Sequence, residues 1–383
     1  MANSLTNLIP DIFAAMDVVS RELVGFIPAV SRDPSADRVT VGQTLRIPQT
    51  PANAAGKDAT PAMAFPAAAY QTIGNKSLTI TKSRAFPFSW NGDEQRGLDA
   101  GPGFLTVRQD QIAQAIRAAV NEMETDIGAA AYKGASRAYG TAGTAPFAST
   151  LIDTASLKQI LDDNGAPSSG RSLVINTVAG VKVRTLTQLT NVDQAGNAGT
   201  LRQGTLLDVH GFAFRESAKV ASVTKGTGAT YNVDLVAGYA IGDTAIHIEA
   251  GTGTVLAGDV VTFTGDTNKY VVATGCPGDG DQDIVLAAPG LQKTLANDVA
   301  MTIGANFTAN VGFARNGILL GTRLPNIPAE GDLASDRMTV TDPLTGISFE
   351  FAVYPGYRMV TYEVALAWGV TAVKPEHIAI LLG

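Results

Sequence analysis

The segment that most constrains the fold spans residues 37–96, because it contains extended stretches but few large apolar side chains. Residues 44–50 and 77–90 have the composition of strands, and a long connection rich in proline and alanine separates them. In the second stretch the apolar residues that alternate with polar ones are Leu78, Ile80 and Ala85. Two such strands cannot build a hydrophobic core by themselves. We therefore predict either a disordered loop or a ribbon that has no partner within the chain and pairs with another molecule.

The strongest helical pattern in the chain follows this segment. Its apolar positions recur every three or four residues, at Ile112, Ile116, Val120, Met123, Ile127 and Ala131. The other face carries Arg117, Glu122, Glu124 and Asp126. A helix over residues 107–133 would be about 40 Å long at ~1.5 Å per residue. We predict an exposed spine, because the charged face is too polar for complete burial.

The charge composition argues against several functions. The 383 residues are 45% hydrophobic and 16% charged, and 28 Lys and Arg against 35 Asp and Glu give a net charge of -7. The hydrophobic fraction is typical of a folded chain, and the acidic balance argues against a protein that grips phosphate backbones. No basic leader precedes the apolar N-terminal stretch, and no uncharged apolar run approaches ~20 residues. We therefore expect no membrane partner.

The remaining elements of the first half alternate between helix and strand. Apolar spacing over residues 8–19 predicts an amphipathic helix, which either packs on its own core or lies on a neighbouring subunit. Residues 31–34 have the sequence of a stop signal after it. Beyond the long helix we predict a helix, a buried strand and a second helix, over residues 154–164, 171–176 and 178–189. Asp153 is the expected N-cap of the first of these, and the mixture indicates an α+β unit.

Residues 222–303 have a different composition, rich in glycine and threonine with turn signals every eight to twelve residues. Short alternating stretches predict strands over residues 230–236, 245–249, 259–264, 270–274 and 284–287. This pattern is typical of an antiparallel barrel or sandwich. We predict an inserted β-barrel domain that folds alone, with its ends close together. Its predicted core is Val233, Leu235, Ile246, Ile248, Val261, Phe263, Val271, Ile284 and Leu286.

The C-terminal part returns to longer strands. Residues 310–322 and 338–353 have strand composition, and residues 342–346 interrupt the second run with a strong turn sequence. Residues 358–373 and a short strand over residues 377–382 complete the chain. These strands belong with the α+β unit that precedes the insertion.

No residue set in the sequence carries a recognisable catalytic, cofactor or metal chemistry. Asp279, Asp281 and Asp283 alternate like calcium ligands, but the glycine and glutamate that such a loop needs are replaced by Ile284 and Gly290. Glycine pairs at 226 and 228 and at 251 and 253 lack the rest of a phosphate-binding loop. We expect turns in each case, and name no catalytic, cofactor-binding or metal-binding residue.

The single cysteine and the three histidines lead to the same conclusion. Cys276 has no neighbouring base in sequence, and we expect a passive thiol in a loop whose replacement by serine leaves assembly unchanged. His210, His247 and His377 are far apart and have no local serine or cysteine partner. We expect surface or packed imidazoles, and therefore no enzyme.

Three stretches resemble a known family. Residues 362–370 (YEVALAWGV) with 373–381 (VKPEHIAIL) resemble the ending of the major coat proteins of short-tailed phages of the Salmonella temperate type. Residues 310–318 (NVGFARNGI) are similar to the strand that follows that family's insertion, and residues 258–265 (GDVVTFTG) to an element within it. The order of helix, insertion and return strands also matches, so that the resemblance covers nearly the whole chain.

The resemblance implies the Hong Kong 97 coat-protein fold, an α+β architecture. Its parts would be an N-terminal arm, an extended loop, a peripheral domain with the spine helix, an axial domain, an inserted antiparallel β-barrel and a return segment shared by the axial and peripheral domains. These correspond to residues 1–36, 37–96, 97–144, 145–221, 222–303 and 304–383. The arm and the loop would carry contacts between subunits.

The implied function is that of a major capsid protein that self-assembles into the icosahedral shell around a phage double-stranded DNA genome. Its partners would be itself, as pentamers and hexamers, with a scaffolding protein and a portal during assembly and possible binding of a decoration protein. Packaged DNA would be near but not specifically contacted, in a virion assembled in the bacterial cytoplasm. The alternatives are a cellular nanocompartment shell of the same fold, or a secreted β-rich carbohydrate-binding or hydrolytic protein.

Overall fold

The computed structural model describes residues 22–50, 71–99, 104–191, 206 and 208–383, and only the main chain of residues 34–36, 97–99 and 104–106. Within these ranges the fold is mixed α+β and mostly sheet, as predicted. The helices are α1 (Gly92–Asp99), α2 (Phe104–Lys133), α3 (Ile152–Asp163), α4 (Thr177–Thr185) and α5 (Thr187–Thr190). We call α2 the spine helix. The predicted helix over residues 8–19 lies outside the described residues.

Twenty strands accompany these helices in the described ranges. Those before the glycine-rich segment are β1 (Ser31–Val39), β2 (Thr44–Gln49), β3 (Gly74–Thr79), β4 (Lys82–Asn91), β5 (Arg137–Gly140), β6 (Arg171–Ile175) and β7 (Phe212–Glu216). Within it are β8 (Ser222–Val223), β9 (Asn232–Val233), β10 (Ala245–Glu249), β11 (Val260–Phe263), β12 (Lys269–Thr274), β13 (Gln282–Leu286) and β14 (Met301–Ile303). The last are β15 (Phe307–Ala314), β16 (Ile318–Pro325), β17 (Asp336–Thr341), β18 (Ser348–Gly356), β19 (Met359–Ala372) and β20 (Ile378–Leu382).

The first sheet is built around β19, the longest strand of the described ranges. Its order is β1-β16-β19-β18-β17. β16 and β18 pair with successive parts of one edge of β19, and β4 pairs with the opposite edge. Alternate residues of β19 point towards the spine helix, and its buried side chains there are Tyr362, Val364, Leu366 and Trp368. They share one hydrophobic cluster with the apolar face of the spine helix, which has the predicted residues Ile112 to Ala131 buried. The first sheet therefore packs against the apolar face of the spine helix.

The second sheet contains the C-terminal strand and extends into the glycine-rich segment. Its order is β7-β6-β15-β20-β5-β12-β13-β10-β9, with β8, β11 and β14 paired off this path. The predicted buried strand β6 is buried at all five positions. A separate cluster on this sheet joins α3, α4 and β6, including Leu157, Leu173 and Val183.

Strands β9 to β14 surround a hydrophobic cluster of their own, which contains seven of the nine predicted core residues. The two exceptions have different causes. Leu235 is 38% exposed, because β9 ends at Val233 and Leu235 begins the turn that the Gly238 amide closes on its carbonyl. Val271 is buried, but it packs in the main cluster with the spine helix. The ends of the segment are close together, since Ser222 pairs with Thr308 and Val223 with Phe307.

The segment before β1 packs within the chain. Phe26, Ile27 and Val30 are completely buried in the main cluster. The predicted stop at residues 31–34 is instead the start of β1, which pairs in parallel with β16. Its register runs from Ser31 opposite Leu319 to Val39 opposite Pro325. Main-chain pairing to a neighbouring strand therefore outweighs the local turn preference of this sequence.

The predicted ribbon is only partly without a partner in the chain. Strands β2 and β3 pair with each other and form a separate two-stranded sheet. By contrast, β4 pairs with β19 over ten residues, from Lys82 opposite Trp368 to Asn91 opposite Met359. The expectation of no intramolecular partner is therefore wrong for β4. The predicted strand over residues 77–90 breaks between Thr79 and Lys82, and Ala85 is consequently exposed.

Three local predictions also need correction. Helix α3 begins after Leu151, and Asp153 lies in its first turn, where it accepts a hydrogen bond from the Phe147 amide instead of capping the helix. The helix predicted over residues 178–189 breaks at Leu186, whose backbone is extended. The strand predicted over residues 310–322 is divided into β15 and β16 by a 3₁₀ turn at Arg315–Gly317.

Candidate assembly surfaces

The acidic residues considered for calcium binding do not form a cluster of metal ligands. Asp283 lies at a β-strand position opposite His247, and its Oδ1 is 2.7 Å from His247 Nδ1. This hydrogen bond raises the pKa of His247. Asp279 accepts a hydrogen bond from the Gly253 amide. Across the part of the chain that the structure describes, no three His, Cys, Asp or Glu residues are grouped as a metal site would require.

The other two histidines are far from one another and from any thiol. His210 Nδ1 lies 2.7 Å from Thr154 Oγ1, and His377 Nδ1 lies 3.0 Å from Asn316 Oδ1. Burial lowers the pKa of His377. His377 is a packed imidazole, whereas His210 is exposed at the surface.

Cys276 was expected in a loop, but it is a buried member of the β9–β14 cluster. Its Sγ lies 4.0 Å from Tyr231 Oη, whose hydroxyl donates to the carbonyls of Gly253 and Gly278. Burial raises the pKa of Tyr231 to about 12, so this phenol is neutral at physiological pH. The thiol therefore lies beside a neutral phenol within an apolar core.

The charged face of the spine helix is engaged rather than exposed, contrary to the prediction. Lys82 Nζ on β4 lies 2.9 Å from Glu122 Oε1 and 2.8 Å from Asp126 Oδ1. Asp126 Oδ2 also accepts the indole N–H of Trp368 at 2.9 Å. Arg117 pairs with Glu22 in the segment before β1. Residues that stay exposed on the described side chains of this helix are Asp110, Gln114, Ala118, Thr125 and Lys133.

The sequence pattern predicted Glu124 on the charged, exposed face of the spine helix, and this prediction is wrong. Its side chain is buried, with 1% exposure, and it accepts hydrogen bonds from the amides of Gly25, Phe26 and Ile27 at 3.2, 3.1 and 2.7 Å. Ser217 Oγ donates to it as well, at 2.8 Å. Burial raises the pKa of Glu124 despite these donors. One signal was present in the sequence: Glu124 follows Met123, directly beside the apolar stripe.

The ribbon formed by β2 and β3 is largely exposed among the described strands. Every second residue of β2 is exposed, and Val41 and Ile73 beside the two strands are 56% and 66% exposed. An isolated pair of strands is marginally stable in water. Exposed apolar groups on such a ribbon indicate a surface that is covered by a partner.

Further large apolar side chains are exposed at the edges of both sheets. Tyr357 at the β18–β19 turn and Leu333 before β17 are 91% and 83% exposed. Others lie on α4 and on the β9–β10 connection, namely Val178, Val181, Val236 and Ile241. Single exposed apolar residues are normal, so these residues do not by themselves define an interface.

The clefts of the described surface have no catalytic arrangement. A cleft of about 690 Å³ lies between the α1 end of β4 and the β18–β19 turn, and Trp90, Asp93 and Arg358 line it. Another of about 470 Å³ lies between the ribbon and the segment before β20, lined by Asn75, Lys374 and His377. Neither lining contains a serine, cysteine or carboxylate pair with an activating base. No helix in the described ranges has the length and apolarity to span a membrane.

Comparisons with known proteins identify the fold. No family model and no curated protein matches the sequence. Among solved structures, the capsid of cyanophage P-SCSP1u matches with a TM-score of 0.51 and 13% identity over 95% of this chain and 89% of that chain. A structure from Mycobacterium phage Che8 matches at 0.49 and 15% identity, over 89% and 84% of the two chains. The mature capsid of bacteriophage PhiM1 matches at 0.48 and 12% identity, over 95% and 88%.

The cyanophage match shows that this chain has the fold of a phage capsid protein. The resemblance drawn from the C-terminal strands is thereby confirmed at the level of the fold. At identities of 12–15% these comparisons show the backbone fold alone.

Proposed function

We propose that this chain is the major capsid protein of a tailed bacteriophage, which self-assembles into an icosahedral shell around double-stranded DNA. The observation that carries the proposal is the capsid-protein fold along 95% of the chain. An exposed two-stranded ribbon with uncovered apolar residues supports it, because an isolated pair of strands is marginally stable and exposed apolar groups indicate a surface that a second molecule covers. Pentamers and hexamers of one chain would repeat these contacts.

The finer description of the fold is also a proposal. We assign the architecture to the Hong Kong 97 coat-protein fold, with the divisions at residues 36, 96, 144, 221 and 303 stated above. The separate hydrophobic cluster of β9–β14 and the pairing of its ends support an inserted barrel. Membership of the group of Salmonella-type phages rests on the C-terminal sequence.

The arm needs revision within this proposal. Residues 25–27, 29 and 30 are buried on the same chain, and Glu124 accepts hydrogen bonds from the amides of Gly25, Phe26 and Ile27. Contact with a neighbouring subunit is therefore assigned to the ribbon, and to the arm only before residue 25.

The remaining partners follow from the function. A scaffolding protein and a portal would take part in assembly, a decoration protein could bind the finished shell, and packaged DNA would lie nearby without specific contact. Assembly would take place in the host cytoplasm and the product would be the virion capsid. The role is structural rather than enzymatic.

Electron microscopy of the expressed full-length chain tests the proposal. We expect closed shells or capsomer rings in negative stain, and a matching fast species in sedimentation velocity. The measurements are made over a range of salt concentrations, with and without the scaffolding protein of the same phage. A folded monomer under all of these conditions would refute a capsid function.

A further inference from the structure

Two glycines face each other on adjacent strands of the first sheet. Gly321 on β16 is in register with Gly369 on β19. Neither has a positive φ, so neither is needed for a turn. A glycine inside a strand weakens it and usually marks a place where another backbone approaches closely. The paired glycines are therefore explained by the space that a side chain would occupy, and not by a backbone conformation that only glycine adopts.

The root of the ribbon occupies that space. We define the ribbon root as residues 40–43 and 78–81, where the ribbon leaves the first sheet. A Cβ atom on Gly369 would lie 2.0 Å from the carbonyl oxygen of Thr79 and 3.0 Å from Ile80 Cα. A Cβ atom on Gly321 would lie 2.5 Å from Leu78 Cδ2. The two glycines thus form a slot, bare of side chains, across β16 and β19.

The ribbon root is tightly held in this slot. Leu78 and Ile80 have no exposed surface, and Ile80 packs with Val39 and Ala367 in a small cluster. The Thr81 amide donates to the Trp368 carbonyl at 3.1 Å, directly beside Gly369. Two further hydrogen bonds cross the root, from the Gly42 amide to Ile80 and from the Ile80 amide to Gln43.

Trp368 and Gly369 connect the ribbon root to the spine helix through the thickness of the sheet. On one face the Trp368 indole donates to Asp126 of the spine helix. On the other face Gly369 receives the backbone of Thr79 and Ile80. Two consecutive residues of a strand point to opposite faces, so the pair contacts both structures at once.

We propose that the Gly321–Gly369 slot is the seat that fixes the direction in which the ribbon leaves the subunit. Outside the root, β2 and β3 pair only with each other among the described strands. The far end of the ribbon lies across a cleft from the segment before β20, with Asn75 on one side and Lys374 on the other, and a rotation at the root would change this separation. The seat itself is a property of the folded chain, and its consequence for assembly rests on the proposed function.

Hydrogen exchange of the full-length chain, kept below the concentration at which it assembles, tests the seat. Gly369→Ala places a methyl group against backbone that has no flexible side chain to yield. We expect amide exchange over residues 78–81 to rise at least tenfold, while residues 112–131 of the spine helix exchange as in the parent. Gly356→Ala is the matched control in the same sheet, because its added Cβ would come within 3.0 Å of the flexible Met359 side chain and no nearer than 3.6 Å to backbone.

If Gly369→Ala does not fold, two compensating substitutions test the seat instead. Gly321→Val should fill the space of the Leu78 side chain and loosen the root, and Leu78→Ala should loosen it by leaving that space empty. The double variant should restore slow exchange to within about threefold of the parent, since contacting residues couple. Unchanged root exchange in a folded Gly369→Ala chain, or additive effects in the double variant, would overturn the proposal.

The assembly consequence is read separately in the microscope. If the parent forms shells and a folded Gly369→Ala chain does not, the direction set by the seat matters for assembly. If both form the same shells, that consequence is refuted. If the parent forms no shells, the proposed function fails, while the exchange result still decides the seat.

Discussion

Glu124 is buried among backbone amides, and this determines how the chain should respond to pH. Burial raises its pKa above the ordinary value of 4.5, so the native chain holds this proton in a pH range where the unfolded chain has lost it. The contribution of this group to the free energy of unfolding therefore falls as the pH rises through that range. At the same time its oxygens satisfy three amides and one hydroxyl.

We predict that Glu124→Gln destabilises the chain by about 1–3 kcal/mol, because the amide group of glutamine replaces one acceptor oxygen by a donor. The loss relative to the parent should be larger below pH 4.5 than at pH 7. Urea denaturation at both pH values measures it.

Glu122 provides the control for the sign of this effect. Burial pushes its pKa up, but the hydrogen bonds from Lys82 and Arg84 together hold the pKa below its ordinary value. The stability lost in Glu122→Gln should therefore grow as the pH rises from below 4.5, opposite to Glu124→Gln. The same slope in both variants would contradict the assignment of Glu124.

The two tryptophans provide a second test at the scale of residues. Trp368 is completely buried, and its indole N–H donates to Asp126. Trp90, at the end of β4, is 9% exposed, and its indole N–H donates to Gln111 of the spine helix. We predict that Trp368→Phe lowers the free energy of unfolding by about 2 kcal/mol, through the lost hydrogen bond and the space left behind. Trp90→Phe should cost less than half as much, because water can reach the freed amide. Equal losses in urea denaturation would show that Trp368 has no special place in the core.

At the scale of elements, β19 is the strand that joins the first sheet together. It pairs with β4 on one edge and with β16 and β18 on the other, and it presents Trp368 to the spine helix. The helical period of residues 107–133 was sufficient to predict the spine helix and its apolar face. Its charged face was predicted to be exposed, because periodicity cannot show that β4 brings Lys82 and Arg84 opposite Glu122.

The ribbon leads to a prediction about assembly. Ile73 is 66% exposed on the isolated chain, so a charge there should change the stability of the monomer by less than about 0.5 kcal/mol. If this surface is covered in the shell, Ile73→Asp should reduce the yield of assembled particles at least tenfold. Sedimentation measures the yield and thermal denaturation the stability. Ile73→Val keeps the apolar surface and is the matched control; shells from Ile73→Asp at the parental yield would exclude Ile73 from the contact.

At the scale of the whole molecule, the glycine-rich segment is both separate and attached. Strands β9–β14 have their own cluster, but β12 continues the second sheet by pairing Lys269 with Ala138 and Tyr270 with Arg137 of β5. Val260 and Val271 turn away from that cluster and pack with the spine helix. Excision would therefore remove the pairing of β12 with β5 and of β8 with β15, and would expose three buried valines, Val223, Val260 and Val271.

We predict that a fragment of residues 222–303 folds alone but is only weakly stable, because a unit of this size has little stability to spare. Its amide resonances should be dispersed in an NMR spectrum. Replacing Val260 and Val271 by threonine should reduce aggregation of the fragment without disrupting its fold, since both valines lie outside its own cluster. Random-coil amide shifts in both versions would show that pairing with β5 is required.

The sequence by itself determined the features that depend on local periodicity and composition. These include the spine helix, five of the seven strands β8–β14 with seven of nine predicted core residues, the turn at residues 342–346, and the absence of a recognisable catalytic motif from the sequence. Helical and strand periods are recorded in neighbouring residues, so they can be read without knowing what lies opposite.

Only the tertiary structure decided which elements meet. It paired β4 with β19, turned residues 31–39 into a strand beside β16, buried Glu124 among amides, and placed Gly321 opposite Gly369 under the ribbon root. Each of these contacts joins residues that are distant in the chain, and nothing in either local sequence specifies its partner. Their positions follow from the packing of whole elements, because a buried polar group or a bare strand position is stabilised only by what the fold brings to it.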